Sequence, residues 1–124
     1  MLRFHRLPGF YAVVRLAPDA VIPEWVNLGG FVSVTRTEDE LSVVCPLENV
    51  PQELLSGPRW ICLKLLGPFP FSQTGVLLSF IEPLSGNRVP IFAVSTFDTD
   101  YVLVPEEFGE RALAALAAAG HERR

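Results

Sequence analysis

Apolar residues in the first half of the chain fall into short runs in which apolar and polar positions alternate, a pattern typical of half-buried β-strands. Residues 22–28 and 51–55 each contain an early proline and predict helices of at most two turns. A charged turn at 38–40 is expected to join the second and third strands into a hairpin, and residues 1–8 to form a short arm. The predicted strands are 10–16, 31–37 and 41–46.

The second half has the same order of elements, but the elements are longer. Apolar residues recur at helical spacing from Ser72 to Leu84 and predict an amphipathic helix, whose last turn Pro83 is expected to bend or end. Pro105 begins an Ala-rich helix that is expected to run to Gly120. The stripe of the first of these helices consists of Val76, Leu77, Phe80, Ile81 and Leu84. The predicted strands are 59–66, 89–96 and 101–104.

The two halves also match in sequence at equivalent places. Val14-Arg15-Leu16 corresponds to Leu63-Lys64-Leu65, and Val43-Val44-Cys45-Pro46 corresponds to Val102-Leu103-Val104-Pro105. We therefore predict an internal duplication of a βαββα unit. This order predicts the α+β fold class, with mostly antiparallel sheets and helices packed on one face.

Composition and charge narrow the range of partners. The chain has 124 residues, of which 49% are hydrophobic and 19% charged, so it has ample material for a core. Its net charge of −4 argues against binding to nucleic acid, because that affinity comes mainly from clustered Lys and Arg. No apolar run is long enough for a membrane span, and we expect a protein without membrane or nucleic-acid partners.

The candidate nucleophiles and metal ligands do not predict an enzyme. Cys45 and Cys62 lie in apolar runs and are interpreted as reduced, buried thiols, which together with the absence of a signal peptide predicts a cytoplasmic protein. His5 and His121 lie in terminal segments that are expected to be mobile, and neither has the spacing of a metal ligand. We expect no catalytic residue, no metal and no cofactor.

Two segments contain the polar groups that a ligand would need. Ser72 or Thr74 is predicted to cap the helix, or alternatively Gly75 lets a ligand approach unpaired helix N–H groups, which favour a carboxylate. Asp98 and Asp100 flank a threonine between two strands. Their carboxylates either stabilise the turn locally or face the ammonium group of a ligand.

The segments 67–77 and 91–104, together with 29–37 in the first half, resemble the ACT-domain family. They are similar to the small bacterial proteins built of two ACT modules, and to the ACT modules of aspartate kinases and of cytosolic arginine sensors. The resemblance implies a ferredoxin-like fold in tandem, with a degenerate ACT-like module over residues 1–57 and an ACT module over residues 58–124. ACT modules are regulatory units that pair side by side and bind amino acids where they meet.

The resemblance also implies the ligand-binding residues and their place at the junction of the two ACT-like units. The first half lacks a matching Thr-Gly-Val helix start, so at most one site of this type is expected per chain. The expected ligand-binding residues are Ser72, Gln73, Thr74, Gly75, Val76, Ser95, Thr96, Phe97, Thr99 and Asp100.

Two functions remain open at this point. The first is a non-catalytic regulatory or sensing module that binds a free amino acid. The alternative is a structural or protein-interaction module of ACT type without a ligand, which acts through dimerisation. The sheet edges and the Ala-rich helix are compatible with a homodimer in either case.

Overall fold

The computed structural model describes residues 1–70 and 72–124, so that Phe71, in the loop predicted to precede the binding site, lies outside the described residues. The chain divides into two compact units. The N-terminal unit consists of Gly9–Trp60, and the C-terminal unit of Met1–Pro8 together with Ile61–Arg124. The predicted boundary fell at residue 57, and the structure differs by grouping the first eight residues with the C-terminal unit.

The N-terminal unit is built on three antiparallel strands in the order β3-β4-β2. They are β2 (Tyr11–Leu16), β3 (Ser33–Arg36) and β4 (Leu41–Pro46), which confirms the three predicted strands. The predicted short helices are 3-10 turns, at Glu24–Asn27 and Gln52–Leu54, and a further 3-10 turn covers Leu47–Asn49. The core of this unit consists of Ala12, Val14, Val26, Leu41, Val43, Cys45 and Val50.

The C-terminal unit contains a mixed, mostly antiparallel sheet in the order β8-β1-β5-β7-β6. Its strand β1 is antiparallel to β5 and parallel to β8, and β6 is antiparallel to β7. The prediction of residues 1–8 as an arm is wrong, because Arg3–Arg6 form a sheet strand. The strands are β1 (Arg3–Arg6), β5 (Trp60–Leu65, from Ile61 onward in this unit), β6 (Phe92–Ser95), β7 (Asp100–Pro105) and β8 (Glu122–Arg123).

The two helices of the C-terminal unit begin later than the sequence predicts. Helix α1 is Val76–Gly86, because Gly75 adopts a left-handed conformation (φ 78°) that precedes the first helical turn. Pro83 lies inside α1 without ending it, and the helix continues to Gly86. Helix α2 is Gly109–Ala118 and follows a 3-10 turn at Glu106–Phe108. In the described part of the chain, neither helix combines the length and the hydrophobicity that a membrane crossing requires.

Both helices pack on the same face of this sheet, as predicted. Phe4 is paired with Leu65 across β1 and β5, so both side chains point to the same face of the sheet. Ile61 points to that face as well, because side chains alternate along a strand and Ile61 is four residues before Leu65. The Phe80 ring of α1 lies 5.4 Å from that of Phe4, in an edge-on arrangement. A Cβ atom at Gly109 of α2 would lie 3.5 Å from Cδ1 of Ile61. These contacts confirm the α+β fold with helices against one sheet face.

Each unit, taken by itself, has an equivalent strand order. In the N-terminal unit the strands lie in the order β3-β4-β2, and in the C-terminal unit the corresponding strands lie in the order β6-β7-β5. This agreement is what a repeated βαββ segment requires. The duplication itself stays a prediction.

Candidate functional site

A cavity of about 260 Å³ lies in the C-terminal unit, between the start of α1 and the turn that joins β6 to β7. We call it the helix-start cavity. Its size suits one small metabolite, because pockets for drug-sized ligands begin at roughly 300 Å³. It is lined by Phe69, Pro70, Gln73, Gly75, Val76, Leu77, Ser95, Thr96, Phe97, Asp98, Thr99 and Asp100.

The start of α1 lines this cavity through Gly75, Val76 and Leu77. Gly75 is the N-cap residue, and the N-cap makes no side-chain hydrogen bond, so the predicted cap by Ser72 or Thr74 is wrong. The first hydrogen bond of the helix is donated by the Ser79 N–H to the Gly75 carbonyl, at 2.9 Å. The N–H groups of Val76 and Leu77 therefore have no carbonyl partner in the helix, and the helix dipole makes this end partly positive. An anionic group is favoured here.

The turn opposite α1 is held by its two threonines. The Thr96 hydroxyl donates to the Thr99 carbonyl at 3.0 Å and accepts from the Thr99 N–H at 3.3 Å. The buried Thr99 hydroxyl donates to the Leu65 carbonyl of β5 at 2.7 Å. Both hydroxyls are therefore used within the protein, that of Thr96 inside the turn and that of Thr99 between the turn and β5.

Asp100 provides a carboxylate to the same cavity. It is the first residue of β7 and is paired with Ser95 of β6. The Ser95 hydroxyl donates to Oδ1 of Asp100 at 2.5 Å. This hydrogen bond orients the carboxylate and uses one of its two oxygens. Beside the turn, the Phe97 side chain is 80% exposed.

All of the residues expected to bind ligand line this cavity, with the exception of Ser72 and Thr74. Those two are exposed and precede the helix start. The resemblance to the ACT family implied these two residues as part of the loop before the helix, and their role in binding stays a prediction. The cavity also includes Phe69, Pro70, Leu77 and Asp98, which were not among the expected binding residues.

Charge is distributed unevenly around the helix-start cavity. Its lining contains two carboxylates, those of Asp98 and Asp100, and no Lys or Arg among the described residues. The positive character on the other side comes from the backbone at the start of α1. A cavity lined by both a helix start and a carboxylate matches a molecule that has one negative and one positive group.

The thiols of the two cysteines are not activated as nucleophiles. Burial raises the pKa of Cys45 to about 11 and that of Cys62 to about 12, from a usual value of 9.0. Both thiols are free, and they are essentially unexposed. A thiol is nucleophilic only as its thiolate, so neither side chain is a nucleophile at neutral pH. Among residues 1–70 and 72–124, no group of three or more His, Cys, Asp or Glu is arranged to hold a metal ion.

Comparison with protein families identifies the class of this protein. A family model described as an ACT domain matches residues 55–118, just over half of the chain, and a second model, described as an N-terminal domain, matches residues 9–53. The chain belongs to the ACT-domain family. This confirms the family that the motifs in the sequence predict, and with it a family of regulatory modules.

Two solved structures extend the similarity over nearly the whole chain. A protein from Agrobacterium tumefaciens is 46% identical, covers 99% of this chain and 92% of its own, and superimposes with a TM-score of 0.92. A protein of unknown function from Vibrio cholerae is 18% identical and covers 95% of this chain and 89% of its own, with a TM-score of 0.76. The second likeness shows the fold alone.

The curated relatives include proteins named "Cytosolic arginine sensor for mTORC1 subunit 1". The human protein is 29% identical over 85 residues, and the rat protein is 31% identical over 85 residues. The matched region is 62% of this chain, and it spans about a quarter (26%) of the length of these relatives.

Proposed function

We propose that this protein is a non-catalytic regulatory module that binds a free amino acid in the helix-start cavity. One observation supports this proposal most: uncapped N–H groups at the start of α1 and the Asp100 carboxylate line the same cavity of about 260 Å³. In the proposed complex the ligand's α-carboxylate accepts hydrogen bonds from Val76 and Leu77. Its ammonium group pairs with the Asp100 oxygen that Ser95 leaves open.

The ligand class is supported by two further considerations. Proteins named as arginine sensors are similar to 62% of this chain, so an amino acid is the natural class of ligand to test first. Asp98 lines the same cavity, and its side chain is exposed. A cationic side chain on the ligand would therefore meet a second carboxylate.

Replacing Asp100 with alanine is expected to abolish ligand-induced stabilisation. In the native protein, a ligand at 100 times its Kd adds roughly 2.7 kcal/mol to the free energy of unfolding. Without the carboxylate, the ammonium group loses its charged partner and the response disappears. Thermal-shift measurements with each of the twenty amino acids, followed by calorimetry with any that respond, provide the test.

Two variants separate charge from fold in this experiment. Asp100→Asn keeps the size of the side chain and an oxygen that accepts from Ser95, so it removes only the charge. Asp19→Ala removes an exposed aspartate of the N-terminal unit and should respond like the native protein. If the native protein responds to none of the amino acids, the ligand proposal fails and the interaction module without ligand is favoured.

We also propose that the protein is a homodimer and acts in the cytoplasm. The ligand would lie where two ACT modules meet. Strand β6 pairs with β7 alone among the described strands, and Ser95 of this edge strand lines the helix-start cavity. An edge strand offers backbone N–H and C=O groups to a second copy. Sedimentation velocity is expected to show a dimer, and a monomer at all concentrations would contradict it.

A further inference from the structure

A second cavity of about 210 Å³ lies in the C-terminal unit, at the end of β5. We call it the Lys64 cavity. It adjoins the helix-start cavity at the β6–β7 turn, since Asp98 and Thr99 line both. The residues that line it are Lys64, Leu66, Gly67, Pro68, Asp98 and Thr99.

Lys64 supplies a positive charge to this cavity that no described carboxylate neutralises. Its side chain is partly buried, and no described Asp or Glu forms an ion pair with it. Its ammonium nitrogen lies 5.9 Å from the centroid of the Tyr101 ring, near the outer limit of a cation–π contact. On the neighbouring strand its pairing partner is His5, which adds no negative charge. The ammonium group is therefore available to an anion.

Asp98 supplies the opposite charge. Its backbone is fixed, because the Phe69 N–H donates to the Asp98 carbonyl at 3.1 Å. A Cβ atom at Gly67 would lie 3.1 Å from the same carbonyl oxygen, so the two backbone segments are in close contact. The carboxylate of Asp98 makes no hydrogen bond or ion pair with a described residue. Lys64 and Asp98 thus line one cavity as separate charges that are not paired with each other.

The remaining lining groups restrict the ligand further. The Thr99 hydroxyl is already donated to the Leu65 carbonyl, at 2.7 Å, so it is not a free donor for a ligand. Leu66 and Pro68 present apolar surface. The cavity therefore offers one cation, one anion and a small apolar wall.

We propose that the Lys64 cavity is a second binding site, for a small zwitterion with a short apolar body. The carboxylate of this ligand pairs with Lys64 and its ammonium group pairs with Asp98, while its body lies on Leu66 and Pro68. Each charged group of the ligand pairs with one of these side chains. Neither side chain has to break an ion pair with a described residue to do so. Lys64 lines only this second cavity, whereas Asp98 lines both, so Lys64 is the charged group that distinguishes the two sites.

The two sites are distinguished by separate backbone reporters in a nitrogen-15-labelled protein. The amide resonances of Leu66 and Gly67 report on the Lys64 cavity, and those of Gly75 and Leu77 report on the helix-start cavity. Titration with glycine, alanine and valine is expected to shift the Leu66 and Gly67 resonances. Acetate and methylamine, which each offer one of the two charges, are expected to produce clearly weaker shifts at the same concentrations.

Lys64→Met keeps an aliphatic side chain of similar length and removes the charge. It is expected to weaken binding at the Leu66 and Gly67 reporters by about tenfold or more, since a hydrogen bond to a charged group is lost. Lys64→Arg, which keeps the charge, should bind within a few-fold of the native protein. Asp98→Asn is the second test and should weaken binding to a similar degree.

Three results would overturn the proposal. The first is the absence of shifts at Leu66 and Gly67 with all three amino acids. The second is an unchanged titration in both Lys64→Met and Asp98→Asn. The third is equal binding of acetate and alanine, which would mean that Asp98 takes no part. Failure of the helix-start site would appear separately, as unresponsive resonances of Gly75 and Leu77.

Discussion

Replacing Phe80 with alanine is expected to lower the free energy of unfolding by about 3–5 kcal/mol. Phe80 is fully buried on α1, where its ring lies 5.4 Å from that of Phe4 and 5.5 Å from that of His121. Truncation removes the aromatic contacts and leaves a cavity between the helix and β1, which the surrounding backbone can close only in part. The loss is a large fraction of a total stability that is typically about 5–15 kcal/mol.

Urea denaturation monitored by circular dichroism measures this loss as a shift in the transition midpoint. The control is Leu78→Ala, two residues earlier on the same helix, where the side chain is 60% exposed. That variant should change stability by no more than about 0.5 kcal/mol, because little apolar contact is removed. Similar losses in both variants would mean that the buried face of α1 is not the one described.

The helical pattern predicted this buried face well. Val76, Phe80 and Leu84 recur at the spacing of one helix face, and all three are buried in the structure. The signal is local, because it depends only on the period of the helix and on the contrast between apolar and polar positions. The strands β2, β4 and β7 were also predicted from a local signal. Runs of β-branched residues favour strands where they are buried.

The start of α1 shows where local pattern fails. Ser72 and Thr74 are good capping residues, and the sequence offered no reason to prefer Gly75 as the N-cap. The left-handed conformation of Gly75 is a property of how the chain enters the helix, which the residue type permits but does not specify. As a result, the sequence did not indicate that Leu77 lines the cavity or that Ser72 and Thr74 lie outside its lining.

The first and last strands were missed because neither is stable alone. Arg3–Arg6 has only one fully buried side chain, Phe4, and Glu122–Arg123 is two residues long. Their pairing is specified by contacts between the two ends of the chain, such as the Glu122 N–H donating to the Leu2 carbonyl at 2.8 Å. A pattern that spans a few residues contains no information about such a partner.

Replacing His121 with leucine is expected to lower the free energy of unfolding by about 2–6 kcal/mol, because two backbone groups lose their hydrogen-bond partner. The sequence predicted a mobile terminal residue, but His121 is only 8% exposed. The Leu2 N–H donates to Nδ1 at 3.0 Å, and Nε2 lies 3.0 Å from the Ser79 carbonyl. Because Nδ1 accepts, Nε2 carries the proton and donates to Ser79. Leucine fills the space but leaves both backbone groups without this partner, at about 1–3 kcal/mol for each.

The other histidine provides the matched control for that experiment. His5 lies on β1 and is exposed, and its ring hydrogen bond to the Arg124 carbonyl is at the surface. His5→Leu should therefore change the urea midpoint little, whereas His121→Leu shifts it strongly and also speeds hydrogen exchange at Leu2. Equal effects of the two substitutions would contradict the role of His121. The difference would show that the His121 side chain connects the residue before β1 with α1 through its two hydrogen bonds. Because α1 begins at the helix-start cavity, these bonds also stabilise the helix that lines the cavity.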